Sequence, residues 1–141
     1  ANTQYYARAY ATNKYGTGYG ETKPFKTLQA ADPRDKFIGT WTFEEVSINR
    51  NINIVYVAVI TGNPEDGDQV LIANFSGIGS MLEAYGTIIS DSITVPSQNM
   101  AIDYKVEGGG KFINPTTMHW AYSITSNGDL INYLATATKL K

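Results

Sequence analysis

The dipeptide Asn127-Gly128 lies between two long runs in which apolar and polar residues alternate. Asn-Gly is the strongest two-residue signal for a β-hairpin, because both central positions of its tight turn need positive φ angles. If these residues form the turn, Ser126 faces Asp129 and all later pairs follow. The apolar pairs on the shared face are then Met118 with Ala137, Trp120 with Ala135, Tyr122 with Tyr133, and Ile124 with Ile131. The turn and the hydrophobic pattern therefore predict the same antiparallel register.

Strand patterns of this kind recur along most of the chain. Runs rich in Val, Ile, Thr, Tyr and Phe alternate with clusters of Gly, Asn, Pro and Asp, as in barrels and sandwiches. The predicted strands are 37–48, 52–60, 69–75, 83–89, 92–95, 101–106, 111–113, 117–125 and 130–140. Only the stretch FSGIGSMLEAYG is ambiguous, since residues 80–83 are compatible with one short helical turn. We predict an all-β fold, an antiparallel barrel, with a two-sheet sandwich as the alternative.

A second hairpin is predicted in the stretch TQYYARAYATNKYGTGYGETKPFKTL. Tyr5, Ala7, Ala9 and Ala11 share one face of its first strand because side chains alternate along a strand. The turn NKYGTGYGE contains three glycines, which accept positive φ angles, and the chain runs extended again over residues 22–28. The following stretch, QAADPRDK, loses the alternation and carries turn-forming Asp and Pro. We therefore predict a hairpin at 1–28, a linker at 29–36 and a second domain at 37–141.

An isolated two-stranded hairpin is marginally stable in water, so the N-terminal hairpin needs a further surface. We expect it to pack on the barrel or to pair along an exposed edge with a neighbouring molecule. Strand-mediated self-association through residues 1–28 is thus one expected partner interaction. The chain starts within a strand pattern, so we also expect upstream residues of a longer protein to complete this hairpin.

Composition narrows the classes of partner. The formal net charge is −2 with both signs interspersed, which gives no basic surface for nucleic acid. Hydrophobic residues make up 43% and aromatic residues 12% of the chain, enough for a packed core. The sequence contains no cysteine, so disulfides and thiolate chemistry are not available. No apolar run approaches the roughly 20 residues of a membrane helix, so we expect no membrane insertion by this segment.

The N-terminal stretch resembles the last two strands of a fibronectin type III domain. The residues that carry this resemblance are TQYYARAYATN followed by YGTGYGETKPFKTL. The resemblance implies that Tyr5 is the corner tyrosine of that fold and that Ala7, Ala9 and Ala11 occupy core positions. It also implies that the other strands of the sandwich lie upstream, as in bacterial surface proteins.

The remainder resembles the lipocalin-like, calycin-type barrels of proteins secreted by gut-dwelling bacteria. Gly39 and Trp41 in FIGTWTFEE match the G-x-W that opens such barrels, and DSITVPSQNM and VEGGGKFIN add to the likeness. The resemblance implies that the tryptophan closes one end of the barrel beneath a basic residue near the last strand. Lys139 and Lys141 are the two candidates for that residue.

Few residues suggest chemistry. His119 is the only histidine, and the hairpin register places it opposite Thr136 on the face away from Trp120, so we expect a surface role. The loop NPEDGDQV brings Glu65, Asp66 and Asp68 together, but it lacks the full pattern of an EF-hand calcium-binding loop, so a solvated turn is expected. We predict no catalytic residue, no metal site and no cofactor.

Two further motifs have structural interpretations. Gly108, Gly109 and Gly110 do not precede a helix, as a phosphate-binding loop would, and we expect a bulge or bend that lets the sheet curl. Asn74 begins an N-x-S sequon, which is a glycosylation acceptor only in a eukaryotic secretory setting. The bacterial resemblances argue against that setting.

Aromatic residues are the best candidates for a ligand site. They either fill the barrel, which is the commoner arrangement in small barrels, or line a cavity at its mouth. The candidate lining residues are Tyr56, Tyr85, Tyr104, Trp120 and Tyr133.

The function expected from the sequence is a non-enzymatic binding or spacer module of a multidomain bacterial surface protein. Its location would be extracellular or on the cell surface, with the periplasm as an alternative. The alternative function is a carrier of a small ligand or glycan that uses the barrel mouth. A small ligand, a glycan or a surface protein are the expected partners, and the sequence names none of them.

Overall fold

The computed structural model describes residues 2–141, and the chain divides into two compact units, Ala1–Asp32 and Pro33–Lys141. The division falls inside the segment predicted as a linker. The second half of that segment belongs to the larger unit, because the Arg34 guanidinium donates to the carbonyl oxygens of Asn63 (2.9 Å) and Asp66 (3.1 Å).

The smaller unit is an antiparallel hairpin made of two short ladders. Its strands are β1 (Gln4–Ala7), β2 (Tyr10–Asn13), β3 (Gly16–Tyr19) and β4 (Lys23–Lys26), with β1 paired to β4 and β2 paired to β3. A bond from the Gly20 amide to the Ala9 carbonyl (2.9 Å) lies between the two ladders. The tyrosine side chains of this unit are exposed.

The turn of this hairpin is tighter than the sequence predicted. The Asn13 side chain accepts a hydrogen bond from the Tyr15 amide (2.8 Å), so the chain reverses at Lys14 and Tyr15. Of the three glycines in the predicted turn, only Gly16 has a positive φ angle, and strand β3 runs on through the next three residues. The predicted nine-residue turn was therefore wrong, because the hydrogen bond between the Asn13 side chain and the Tyr15 amide closes a turn that ends before Gly16.

The larger unit is a closed antiparallel barrel of eight strands. They are β5 (Gly39–Ser47), β6 (Asn53–Gly62), β7 (Gln69–Ala73), β8 (Glu83–Ile89), β9 (Ser92–Ala101), β10 (Tyr104–Asn114), β11 (Thr117–Ser126) and β12 (Asp129–Lys139). Each strand pairs with the next, and β12 pairs with β5 to close the ring. The predicted all-β antiparallel barrel is confirmed. The sandwich alternative was wrong because the eight strands form one closed sheet and not two sheets packed face to face.

The register predicted from Asn127-Gly128 is confirmed in full. Ser126 lies opposite Asp129, and all four apolar pairs of β11 and β12 occur as predicted. Asn127 and Gly128 have φ angles of 50° and 83°, as the tight hairpin turn requires.

The predicted strand boundaries failed in β9 and β10. The strands predicted at 92–95, 101–106 and 111–113 are parts of two long strands, β9 and β10, which are joined by a turn at Ile102 and Asp103. Strand β9 continues through Pro96 because a bulge lies there: Val106 pairs with Gln98, whereas Gly108 pairs with Val95. A proline is tolerated at such an irregularity since its missing N–H breaks no ladder bond. The bulge predicted at the three glycines is instead located next to them: the register shifts between Val106 and Gly108, whereas Gly109 and Gly110 pair regularly with Thr94 and Ile93.

One end of the barrel is closed by Trp41, which is fully buried. Its indole N–H donates to the Phe37 carbonyl (2.8 Å), and the Phe112 ring lies 5.9 Å from its ring. The Lys139 ammonium lies 5.5 Å from the Trp41 ring and donates to the Lys36 carbonyl (3.0 Å). Lys139, and not Lys141, therefore occupies the position of the basic residue that the resemblance implied.

Inward-facing side chains form one continuous core inside the barrel. The largest apolar side chains that are almost completely buried are Trp41, Trp120, Phe37, Phe43, Phe75, Ile60, Ile72, Ile93, Met118 and Ile124. Within residues 2–141, no helix has the length and apolar character to cross a membrane.

Candidate functional site

The end of the barrel opposite Trp41 is filled by the turn that follows β7. This strand ends at Ala73, and a 3₁₀ turn (Phe75–Gly77) then folds inward, so that Phe75 and Ser76 are buried. We call residues 74–78 the plug. The stretch that was ambiguous in the sequence does contain a short helical turn, but it lies at Phe75–Gly77 and not at 80–83.

Asn74 holds the base of the plug. Its φ angle is 59°, a conformation that asparagine tolerates better than most residues. Its side-chain amide donates to the Val57 carbonyl (2.8 Å) and accepts from the Gly79 amide (2.9 Å). The side chain of the N-x-S sequon is thus used in local structure, and a glycan on its nitrogen would disturb the bond to Val57.

The Phe75 ring occupies the centre of the barrel mouth. It lies 4.7 Å from the Tyr122 ring, 5.5 Å from the Trp120 ring and 6.4 Å from the Phe43 ring. Aromatic pairs at these separations contribute attraction beyond their buried area. The plug therefore completes the aromatic core from a loop rather than from a strand.

A buried polar cluster lies beside this ring. Glu45 projects inward from β5 and is 1% exposed. The Tyr122 hydroxyl donates a hydrogen bond to Glu45 Oε2, and its oxygen lies 3.2 Å from Ser76 Oγ. The Ser76 amide donates to the Tyr56 hydroxyl (3.0 Å). The carboxylate, two phenols and the plug are therefore linked in one network.

Two polar atoms inside the barrel lack a hydrogen-bond partner among the described residues, namely Glu45 Oε1 and Trp120 Nε1. Both residues flank Ala135 in the sheet, because Ala135 pairs with Glu45 on one side and with Trp120 on the other. The small alanine leaves the two larger side chains on the same level of the barrel. Buried polar groups are rarely left unpaired, so this pair needs an explanation.

Burial governs the protonation of the cluster. It raises the pKa of Glu45, and this effect outweighs the opposing hydrogen bonds from Tyr122 and Tyr56. Burial also raises the pKa of Tyr56 and of Tyr122, and the nearby Glu45 charge adds to both shifts. The two phenols therefore keep their protons and act as donors wherever the carboxyl is ionised.

Four of the five predicted lining residues meet in this region. Tyr56, Trp120 and Tyr133 are buried inside the barrel, and Tyr104 is half-buried with its hydroxyl near Ser76. The Tyr133 ring stacks on the Tyr122 ring at 5.2 Å. Tyr85 does not join them: it alternates with buried Ala84 and lies on the outer face, 38% exposed.

Sequence reasoning missed three members of the cluster, Glu45, Ser76 and Tyr122. The alternation Trp41, Phe43, Glu45 does place the glutamate inside, so its position was detectable. Tyr122 was assigned to the correct face but not to the ligand site. Ser76 gave no signal, since it lies in a loop with a φ angle of 59°.

The other sequence candidates lie outside this cluster. His119 is exposed on β11 opposite Thr136, as expected. Asp66 accepts the Asp68 amide (2.9 Å), which makes the acidic loop a local turn. Among residues 2–141, no group of three or more His, Cys, Asp or Glu side chains is arranged to hold a metal ion.

The fold and the mouth together define a closed eight-stranded antiparallel β-barrel with a loop plug and a buried carboxylate. No family model matches the chain, and no curated protein matches it significantly. Among solved structures, it is similar to a redesigned β-barrel at 11% sequence identity and a TM-score of 0.54, over 81% of this chain and 100% of that one. At this identity the likeness supports the barrel fold alone.

Proposed function

We propose that the protein is a non-enzymatic binding or spacer module of a multidomain bacterial surface protein. The observation that carries this proposal is that the barrel interior is occupied by its own side chains. Phe43, Phe75, Trp120 and Tyr122 have ring contacts with one another across the mouth. A solid barrel is a stable body whose binding contacts lie on its outside.

The proposal also assigns each of the two units to a domain family. We assign residues 1–28 to the last two strands of a fibronectin type III domain and residues 37–141 to a lipocalin-like barrel. The paired strands β1 and β4 support the first assignment. The second is supported by Gly39 and Trp41 at the start of β5 and by Lys139 above the Trp41 ring. Such modules act in the extracellular space or on the cell surface, with the periplasm as the alternative.

A second function, a small-ligand carrier that uses the barrel mouth, is favoured by one specific observation. In the part of the chain that the structure describes, Glu45 Oε1 and Trp120 Nε1 are buried without hydrogen-bond partners, and an unpaired buried polar atom costs about 1–3 kcal/mol. A ligand that satisfied both atoms would recover that cost.

Native mass spectrometry of the full chain, together with a glycan array, separates these functions. For a binding or spacer module, the native mass spectrum should show the mass of the chain alone. If the module binds glycans, that binding should persist when Phe75 is replaced by Leu. A carrier should instead show an added small-molecule mass that is lost on denaturation. Turnover of an ester, glycoside or phosphodiester substrate would overturn the non-enzymatic proposal.

A further inference from the structure

We propose that the space occupied by the plug is a binding site for a small arylalkylammonium ion, with the aromatic ring in the place of Phe75 and the ammonium group on Glu45. This inference rests on the carrier function proposed above and names the class of its ligand.

The unpaired polar atoms indicate what the site lacks. Glu45 is 1% exposed, and although the Tyr122 hydroxyl donates to Oε2, Oε1 has no hydrogen-bond partner within residues 2–141. A buried carboxylate with free acceptor capacity favours a cation, since a cation supplies both N–H donors and the opposite charge. An anionic ligand would instead place two like charges in a site shielded from water.

The walls of the site favour the same class of ligand. Aromatic residues surround the carboxylate, with Tyr122 and Tyr133 stacked and Trp120 on the same level of the barrel. Aromatic faces attract cations, and the attraction is strongest where water is excluded. A carboxylate among phenol and indole rings is therefore suited to an organic ammonium group rather than to a metal ion, which would need further oxygen ligands.

The plug already presents the chemical groups of such a ligand. Phe75 contributes an aromatic ring between Trp120 and Tyr122, and the amide of Ser76 contributes an N–H donor to Tyr56. The ring and this nitrogen are separated by three carbons, Cβ, Cα and the carbonyl carbon of Phe75. A 3-phenylpropylammonium ion has the same spacing and adds the positive charge that the peptide amide lacks.

The plug contains a strained residue that displacement of the plug would relax. Ser76 has a φ angle of 59°, a conformation that is unfavourable for residues other than glycine and asparagine unless their surroundings enforce it. Because the ligand competes with the plug, its apparent association constant equals the intrinsic constant multiplied by the fraction of molecules in which the plug is displaced. Shortening the Phe75 side chain should therefore strengthen binding.

The test is a titration of the full chain with 3-phenylpropylamine, followed by tryptophan fluorescence and isothermal calorimetry. The neutral 3-phenylpropan-1-ol and the anionic 3-phenylpropanoate serve as ligand controls. The protein variants are Glu45→Gln, Phe75→Ala and the matched control Glu44→Gln, which removes the same charge from the exposed face of β5. Circular dichroism establishes that each variant is folded.

We expect the amine to bind at least about tenfold more tightly than the alcohol, a difference of about 1.4 kcal/mol. Glu45→Gln should abolish that preference, Glu44→Gln should leave it intact, and Phe75→Ala should tighten amine binding. Equal affinity of wild type and Glu45→Gln for the amine would overturn the proposal. If Phe75→Ala does not fold, the amine-to-alcohol ratio in wild type and in Glu45→Gln still decides.

The outcomes also separate this inference from the carrier function. Binding of all three ligands with equal affinity, sensitive to Phe75 but not to Glu45, would refute the ammonium site and leave an apolar carrier. Absence of binding to wild type and to a folded Phe75→Ala variant would refute both.

Discussion

Glu45 is a carboxyl group enclosed by phenol and indole rings on the inner side of β5. Burying an ionised carboxylate is costly unless donors compensate it; the Tyr122 hydroxyl donates to Oε2, whereas Oε1 has no partner among the described residues. Folding therefore raises the pKa of Glu45 above its ordinary value, with burial as the main cause. At the residue scale, this side chain couples the stability of the barrel to pH.

The first prediction concerns that coupling. A carboxyl whose pKa is raised on folding contributes its full stability below the unfolded value, near 4.5, and loses it as the pH rises through the folded value. The loss is at most about 1.4 kcal/mol per pH unit for one group. Urea unfolding between pH 4 and pH 8 should thus show a negative slope that is smaller in Glu45→Gln. A slope in Glu45→Gln equal to that of the exposed control Glu44→Gln would contradict the prediction.

The second prediction concerns Gly110, which lies opposite Trp120 on the neighbouring strand. A Cβ atom at Gly110 would lie 2.2 Å from Trp120 Cε2, so the fully packed indole would have to move. Gly110→Ala should lower the free energy of unfolding by about 1–3 kcal/mol, as overpacking does. Gly67→Ala is the control, because an added Cβ there meets no atom within 4 Å. Chemical denaturation of both variants checks the difference, and equal stabilities would show that the indole is free to shift.

At the element scale, the plug depends on Asn74 both for hydrogen bonds and for backbone conformation. This allows the two contributions to be separated by the third prediction. Asn74→Gly removes both side-chain bonds but tolerates the positive φ angle, and should cost about 1–2 kcal/mol. Asn74→Ala should cost roughly 1 kcal/mol more, because alanine is strained at a φ angle of 59°. If the alanine variant were as stable as the glycine variant, the plug would not need the left-handed conformation.

The elements differ in how far the sequence predicted them. The β11–β12 hairpin was predictable pair by pair, because a turn with one preferred geometry sets the register and both strands alternate. Strand β9 was cut short at Pro96, since a proline usually ends a strand, and the bulge that accommodates it, Pro96 and Ser97 opposite Glu107, is defined only by the pairing with β10. The plug was missed because tertiary contacts hold Phe75 and Ser76 inside, and no local pattern encodes such contacts.

The candidate site was predictable only where strand alternation applies. Tyr56, Trp120 and Tyr133 lie inside as the alternation indicates, and Glu45 follows the same rule. Tyr85 was assigned to the site by residue type alone, and alternation with Ala84 places it outside. The link between Glu45 and Ser76 through Tyr122 joins β5, β11 and a loop, so it depends on closure of the barrel.

At the scale of the whole molecule, the two compact units differ in how their backbone is protected. The barrel buries a continuous core and all of its strands have two neighbours. The hairpin strands β1 to β4 each pair with a single strand, and their aromatic side chains are exposed, from Tyr5 at 49% to Tyr10 at 71%. Opening of such a hairpin requires little free energy compared with global unfolding of the barrel.

The last prediction follows from that contrast. A two-stranded ladder gains little from burial, whereas ordering its backbone costs about 1–2 kcal/mol per residue, so it should open often. In hydrogen exchange, amides of Ala7 and Ala11 should exchange orders of magnitude faster than amides of Trp120 and Tyr122 in β11. If residues 1–28 belong to a fibronectin-type sandwich, adding the upstream strands of such a domain should slow exchange in the hairpin and leave β11 unchanged. Equal protection of Ala7 and Ala11 with and without those strands would contradict the assignment, and β11 serves as the internal reference in both measurements.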